Sequence, residues 1–257
     1  MRTRLTALLL VLLMVSGVAF SEAETVKVEE ISAAMGESKV CYPQLSGLSD
    51  PSVQKKINDD VVQSGDIPSL LVKLTTGGSV QAEYQCFWNE WVFSTLLTVE
   101  EKQAGSRREQ SETALTYDLS DGENLTLDHL FSDPAEAVRQ MEAMAETSLG
   151  REMTEYMDNR DVTPLPKDSF TMDEWGITFH YPASRLSFAS GAAGAVQFFY
   201  DELDGLWLTD EDSLPAKMGL RSAQMTADEQ KTAVAAAVTA GKLPMLPVTL
   251  GQPMTEI

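Results

Sequence analysis

The sequence is short of the residues that enzyme chemistry most often uses. It has two histidines and two cysteines in 257 residues. His129 and His180 stand 51 positions apart, with no His-x-x-x-His or His-Glu-x-x-His around either. A zinc site would have to borrow scattered carboxylates, so neither a metal nor a cofactor is expected. No Gly-x-Ser-x-Gly elbow occurs, and Ser190 before Gly191 is explained by a bend. Positive charge is scarce too: 19 basic side chains face 39 acidic ones, a formal charge of −20. Such a surplus repels phosphate backbones and excludes most nucleic-acid binding, while drawing in basic partners. Long apolar runs are also missing, apart from Leu5–Val18.

That one run follows Arg2 and Arg4 and precedes small residues at Ala19-Phe20-Ser21 and Ser21-Glu22-Ala23. It is shorter than the ~20 residues a spanning helix needs and reads as the core of a secretory signal peptide, residues 1–23. The mature protein is therefore expected outside the cytoplasm, secreted and with no stable membrane anchor after cleavage. In an exported chain, one cysteine pair with nothing left over favours a Cys41–Cys86 disulfide; two buried thiols are the alternative. Acid-rich stretches at 118–124 and 201–212 lack the alternating spacing of a calcium loop and read as turns stabilised by aspartate side chains.

Residues 24–37 are small, acidic and aperiodic, and read as a linker. Val40 and Tyr42 alternate up to Pro43, as in an edge strand. Asp50 and Pro51 then cap a helix whose Val53, Ile57 and Val61 share one face. Residues 67–74 fit a short helix or an irregular crossing segment. Two long alternating strands between Ser79 and Lys102 meet at Asn89-Glu90, and a third ends at Asp121-Gly122. Asp133, Pro134 and Glu136 open a long helix with Val138, Met141, Ala145, Leu149, Met153 and Tyr156 inward. A strand over 170–172 turns at Asp173-Glu174 into Ile177, Phe179 and Tyr181, where His180 is expected to point outward. A second apolar run follows over 195–200. Beyond it lie an acidic irregular stretch, a capped helix from Thr226 to Gly241, and a proline-broken tail.

The succession Phe179-His180-Tyr181-Pro182, Phe188-Ala189-Ser190-Gly191 and Tyr200-Asp201-Glu202-Leu203 resembles the closing segment of a domain family named only for its unknown function. That family forms the outer part of RsiV-type lysozyme-sensing anti-sigma factors and the N-terminal region of PdaC-type peptidoglycan deacetylases. Tyr42–Asp50 and Val53–Asn58 are similar to the opening of its companion domain, and Tyr117–Gly122 with Leu125–Phe131 to its middle hairpin. The chain departs from the family at 103–108, where relatives carry Gly-Gly-Ala-His, and at Phe199, where they tend to carry proline.

Together these readings predict an α+β protein of two small modules, 38–117 and 118–205, each an antiparallel sheet packed with a helix. Residues 206–257 supply an acidic segment, a short C-terminal helix and a tail. The resemblance implies a non-enzymatic binding or sensing domain at the bacterial surface, with c-type lysozyme or peptidoglycan as ligand. An accessory module of a peptidoglycan hydrolase or deacetylase system is the alternative. The candidate contact surface is the joint at Tyr181, Pro182, Arg185 and Phe188, an aromatic, proline-bearing loop with one cation; core filling by Tyr181 and Phe188 is the competing explanation. Trp88 and Trp91 flank a hairpin tip and suit either sugar stacking or burial.

Overall fold

The computed structural model describes residues 26–76, 79–102, 108–153, 162–183, 185 and 194–220. The leader, Tyr156, Phe188, the 190–193 joint and the C-terminal helix with its tail lie outside the described residues, as do the side chains at Leu149 and Met153. The architecture is α+β, with a five-stranded sheet in the order β1-β2-β3-β4-β5 and a three-stranded sheet in the order β6-β7-β8.

The large sheet is formed by β1 (Lys27–Met35), β2 (Ser38–Ser46), β3 (Ser79–Trp88), β4 (Val92–Lys102) and β5 (Arg108–Asp118). Strand β1 replaces the expected linker. Its residues are mostly exposed and carry no apolar alternation, so the backbone ladder, running from Lys27↔Ser46 to Met35↔Ser38, is the main thing that holds it as an edge strand, with Val28 and Ala33 packed at the margins of the core. The pairing also departs from a purely antiparallel sheet, because β2 and β3 run parallel through Lys39↔Gln81 and Val40↔Ala82. Parallel neighbours need a crossover, which α1 (Pro51–Ser64) and α2 (Ile67–Thr76) supply. The 67–74 segment is thus a helix, burying Ile67, Leu70 and Leu74.

Both helices cover one face of the large sheet. Val53, Ile57 and Val61 of α1 pack with Phe93, Leu97, Leu115 and Tyr117, while α2 packs with Val40, Val80, Ala82 and Val99. Each fully buried aliphatic side chain contributes about 1.5–3 kcal/mol. Asp50 caps α1 by accepting the Ser52 N–H at 2.8 Å. The β3–β4 hairpin turns where expected, with Asn89 Oδ1 accepting the N–H groups of Trp91 and Val92. Gly122 (φ +70°) takes the left-handed conformation in the turn after β5, against Val53, Lys56 and Ile57.

The small sheet consists of β6 (Phe170–Met172), β7 (Gly176–Tyr181) and β8 (Gly194–Phe199). Its inner face carries Phe170, Met172, Ile177, Phe179, Tyr181 and Phe198, packed with Met141 and Ala145 of α3 (Pro134–Met153). The acidic stretch after Leu203 is not loose. Trp207 is 1% exposed, stacks on Phe131 with ring centroids 4.9 Å apart, and is followed by α4 (Leu214–Lys217), whose Leu214 joins the same core. Val92 of β4 also belongs to that core, so the two modules share residues at their junction.

That junction is made by β6 lying against the outer face of β4 and β5. Ser94 Oγ accepts the Met172 N–H at 2.9 Å, Thr116 Oγ1 donates to the Phe170 carbonyl at 3.0 Å, and the two hydroxyls are 2.8 Å apart. None of the described helices is long and apolar enough to cross a membrane. Ser94→Ala should cost about 1–3 kcal/mol, because it leaves a buried N–H without its acceptor. Urea denaturation measures this, and a loss below a few tenths of a kcal/mol would show that the hydroxyl pair does not hold the junction.

Candidate functional site

The sequence-derived contact surface is only partly a surface. Tyr181 is 1% exposed, and its hydroxyl donates to the Val162 carbonyl at 2.6 Å. Arg185 lies over the Tyr181 ring, 5.4 Å from its centroid, and donates to the carbonyls of Thr163 (2.8 Å) and Pro164 (3.1 Å). The pair therefore clamps the 162–164 segment to the end of β7, and Tyr181 belongs to the core. Pro182 is exposed; Phe188 falls outside the described residues.

Beside that clamp runs a trough in two confluent parts of about 590 and 570 Å³. The first lies between Thr126–Asp128 and the start of α3, the second between Val138, Pro164–Ser169 and Arg185; Val138, Lys167 and Asp168 belong to both. Asp128, Asp133 and Asp168 give its lining three carboxylates beside Lys167 and Arg185. Asp133 is engaged as a helix cap, accepting the Glu136 N–H at 3.0 Å. His129 is structural: its Nδ1 accepts the Thr126 N–H at 3.0 Å.

A third, smaller cleft of about 210 Å³ opens between the sheets, lined by Gln85, Phe87 and Leu96 from one and Thr171, Thr178 and His180 from the other. His180 was expected on the exposed side of its strand; it does face away from the inner core, but β5 covers that side and leaves it 7% exposed. Its ring contacts Thr171 Oγ1 through Nε2 at 2.8 Å, while Nδ1 lies 3.7 Å from Glu112 Oε2. Gln110 Nε2 donates to the other Glu112 oxygen at 3.2 Å. Carboxylate, imidazole and hydroxyl follow one another in the order of a catalytic triad. The carboxylate, however, stands beyond hydrogen-bond reach of the ring, and a secondary hydroxyl within a strand is a crowded nucleophile. Alternation along β7 places His180 on this face; that β5 would bury it depends on tertiary packing.

The cysteines are free, so the expected bridge is not present. Pairing of Val40 with Ala82 sets Cys41 three positions short of Cys86 in the register. Cys41 Sγ instead contacts Glu30 Oε1 at 3.7 Å, and burial pushes the Cys86 thiol up, which disfavours the thiolate. Among the described residues no three His, Cys, Asp or Glu side chains gather as metal ligands. The acid-rich turn after β5 binds its own backbone: Asp118 accepts the Ser120 N–H and Asp121 the Glu123 N–H. Of the two hairpin tryptophans, Trp91 packs on the second core, and the half-exposed Trp88 donates to the Val26 carbonyl.

No protein-family profile matches the sequence, and no curated protein does. Solved structures do. A Bacteroides fragilis protein described as a member of the DUF3298 family superposes with a TM-score of 0.55 at 12% identity, over 76% of this chain and 96% of that one. A DUF3298 family protein from Pseudomonas aeruginosa gives 0.53 at 15% identity, over 72% and 94%. The chain has the DUF3298 fold. At these identities the likeness is one of architecture, in agreement with the domain of unknown function suggested by the sequence.

Two outcomes check this geometry. With the chain denatured without reductant, two thiols should react with a disulfide reagent; none reacting would restore the Cys41–Cys86 bridge. Burial, with Asp60 beside Tyr117 and Asp173 beside Tyr200, pushes both phenols well above their ordinary value. A raised native value means stability that is full below the unfolded phenol's pKa of about 10 and lost as pH rises above it. Ultraviolet titration should therefore show at least these two of the six tyrosines ionising only together with alkaline unfolding. Smooth titration of all six in the folded protein would contradict it.

Proposed function

We propose that this protein is an extracytoplasmic, non-catalytic binding or sensing domain whose ligand is a basic protein of the c-type lysozyme class. The observation that supports the reading is the disposition of charge. Five of the described cations are paired with carboxylates: Lys39 with Glu30, Lys55 with Asp59, Lys56 with Glu123, Lys73 with Glu101 and Arg139 with Glu136. Arg185 is turned onto carbonyls. Carboxylates outnumber cations among the described residues as they do in the whole sequence, 39 against 19, and many of the described ones are exposed. A surface of one sign steers a partner of the other and accelerates its capture. The secretory leader in the sequence and the resemblance to lysozyme-sensing ectodomains point to the same compartment and ligand class.

Cell-wall material remains the second ligand class, for an accessory module of a peptidoglycan hydrolase or deacetylase system. The Glu112–His180–Thr171 series is the feature that would favour an enzyme.

Calorimetric titration of the mature protein with a c-type lysozyme, at low salt and again at about 0.5 M, tests the reading, because screening at that strength removes diffuse charge attraction. Saturable binding that persists in high salt is expected. Binding confined to low salt would reduce the interaction to generic attraction between opposite charges. Release of soluble product from peptidoglycan, abolished by His180→Ala, would replace the binding role with a catalytic one.

A further inference from the structure

We propose that Trp175 is the anchor of a docking surface for a cationic protein partner, at the end of the small sheet opposite the trough. The proposal rests on the reading above that the ligand is a basic protein, and it names where that protein binds.

The turn joining β6 to β7 is held from several sides. Asp173 Oδ1 accepts the N–H groups of Trp175 and Gly176 at 2.7 and 2.9 Å, and the Asp173 N–H donates to the Gly176 carbonyl at 3.1 Å. The other Asp173 oxygen accepts from Gln197 Nε2 at 2.9 Å. Tyr200 donates twice, from its hydroxyl to the Asp173 carbonyl at 2.7 Å and from its N–H to the Trp175 carbonyl at 3.0 Å. Gly176 lies so close to β8 that a Cβ there would stand 2.0 Å from the Phe198 carbonyl oxygen.

All of this bonding fixes the backbone of a residue whose side chain is left outside. Trp175 is 64% exposed, the most exposed large hydrophobic side chain among the described residues, and Phe199, paired with Gly176 on the neighbouring strand, is 48% exposed. Exposing an indole forgoes its burial energy, and a turn this closely bonded has little freedom left to lose on association. Those two properties define an interface anchor.

The surroundings select the partner's chemistry. Between Lys167 and Lys217 the sequence holds nine carboxylates and a single Lys or Arg, Arg185, which is beyond the far end of β7. Glu174 adjoins Trp175 in the chain, and Asp201 with Glu202 follows Phe199 after Tyr200. Glu202 is turned back onto the backbone, accepting the Phe199 N–H at 2.8 Å. Glu174 and Asp201 form no ion pair among the described residues. An indole face beside free carboxylates takes a guanidinium, which stacks on the ring while its N–H groups pair with the acids.

The test titrates the mature protein with two basic probes, a c-type lysozyme and cytochrome c, at about 0.15 M salt, near the ionic strength of physiological screening. Four chains are compared: wild type, Trp175→Ala, Glu174→Gln/Asp201→Asn, and the trough variant Asp128→Asn/Asp168→Asn, with melting curves confirming that each is folded. Loss of the anchor should weaken lysozyme binding by about 30-fold or more, as for a central aromatic hot spot. The Glu174→Gln/Asp201→Asn change should act mainly by slowing association, and the trough variant should bind as wild type does. Lysozyme binding that is untouched by Trp175→Ala, or lost instead in the trough variant, overturns the anchor and leaves the lysozyme reading standing. Trp175-dependent binding of cytochrome c without any of lysozyme keeps the docking surface and overturns the lysozyme reading. Binding of neither probe overturns both.

Discussion

The contact on which the rest of the molecule depends is the hydroxyl pair Ser94–Thr116. It fixes one edge of β6 to the outer face of β4 and β5, through a bond from the Met172 N–H to Ser94 and another from Thr116 to the Phe170 carbonyl. The bonding is directional and complete: Thr116 donates to the carbonyl, Ser94 donates to Thr116, and Ser94 accepts the amide. Both side chains are almost wholly buried, so each bond operates where water cannot replace it. Moving β6 would move β7 with it, and with β7 the cleft holding His180, the clamp at Arg185 and the turn carrying Trp175. The inner core behind β6 fills in around a position that two polar atoms have set.

Much of this was legible along the chain. Alternation marked β3, β4, β5 and β7, the Asn89 turn was recognisable from its residues, and the Asp50 and Asp133 caps preceded their helices as the pattern required. What escaped has a common cause. Strand β1 carries little apolar period because it is an edge strand that is mostly exposed, and the parallel step from β2 to β3 leaves no local signature. Trp207 sits in an acidic stretch whose composition suggested solvent, although one large aromatic can pull such a segment onto a core. Tyr181 and Arg185 show the same limit from the other direction. Their residue types suit a contact surface, and only three-dimensional placement reveals that the ring is buried and the guanidinium occupied with carbonyls.

The polar groups of the protein divide according to how their bonds are used. Those in the hydroxyl junction, the acid turn after β5 and the Arg185 clamp are satisfied within the chain and serve the fold. His180 and Glu112 are partly satisfied and enclosed. The carboxylates beside Trp175 face outward, and the proposed docking surface is there. A molecule arranged in this way presents charge on a rigid frame, as a receptor for a preformed partner does.

The pairing order of the large sheet bears on how the chain acquires its structure. β1 and β2 meet through a tight connection, with Met35 opposite Ser38, and β3, β4 and β5 join as successive neighbours. The parallel seam between β2 and β3 is different, since Val40 meets Ala82 only after both intervening helices are folded across it. Closing that long loop is entropically costly and comes before its contacts can repay it. The seam thus divides assembly into two fast local units and one slow union, and the edge of β3 stays open until that union is made.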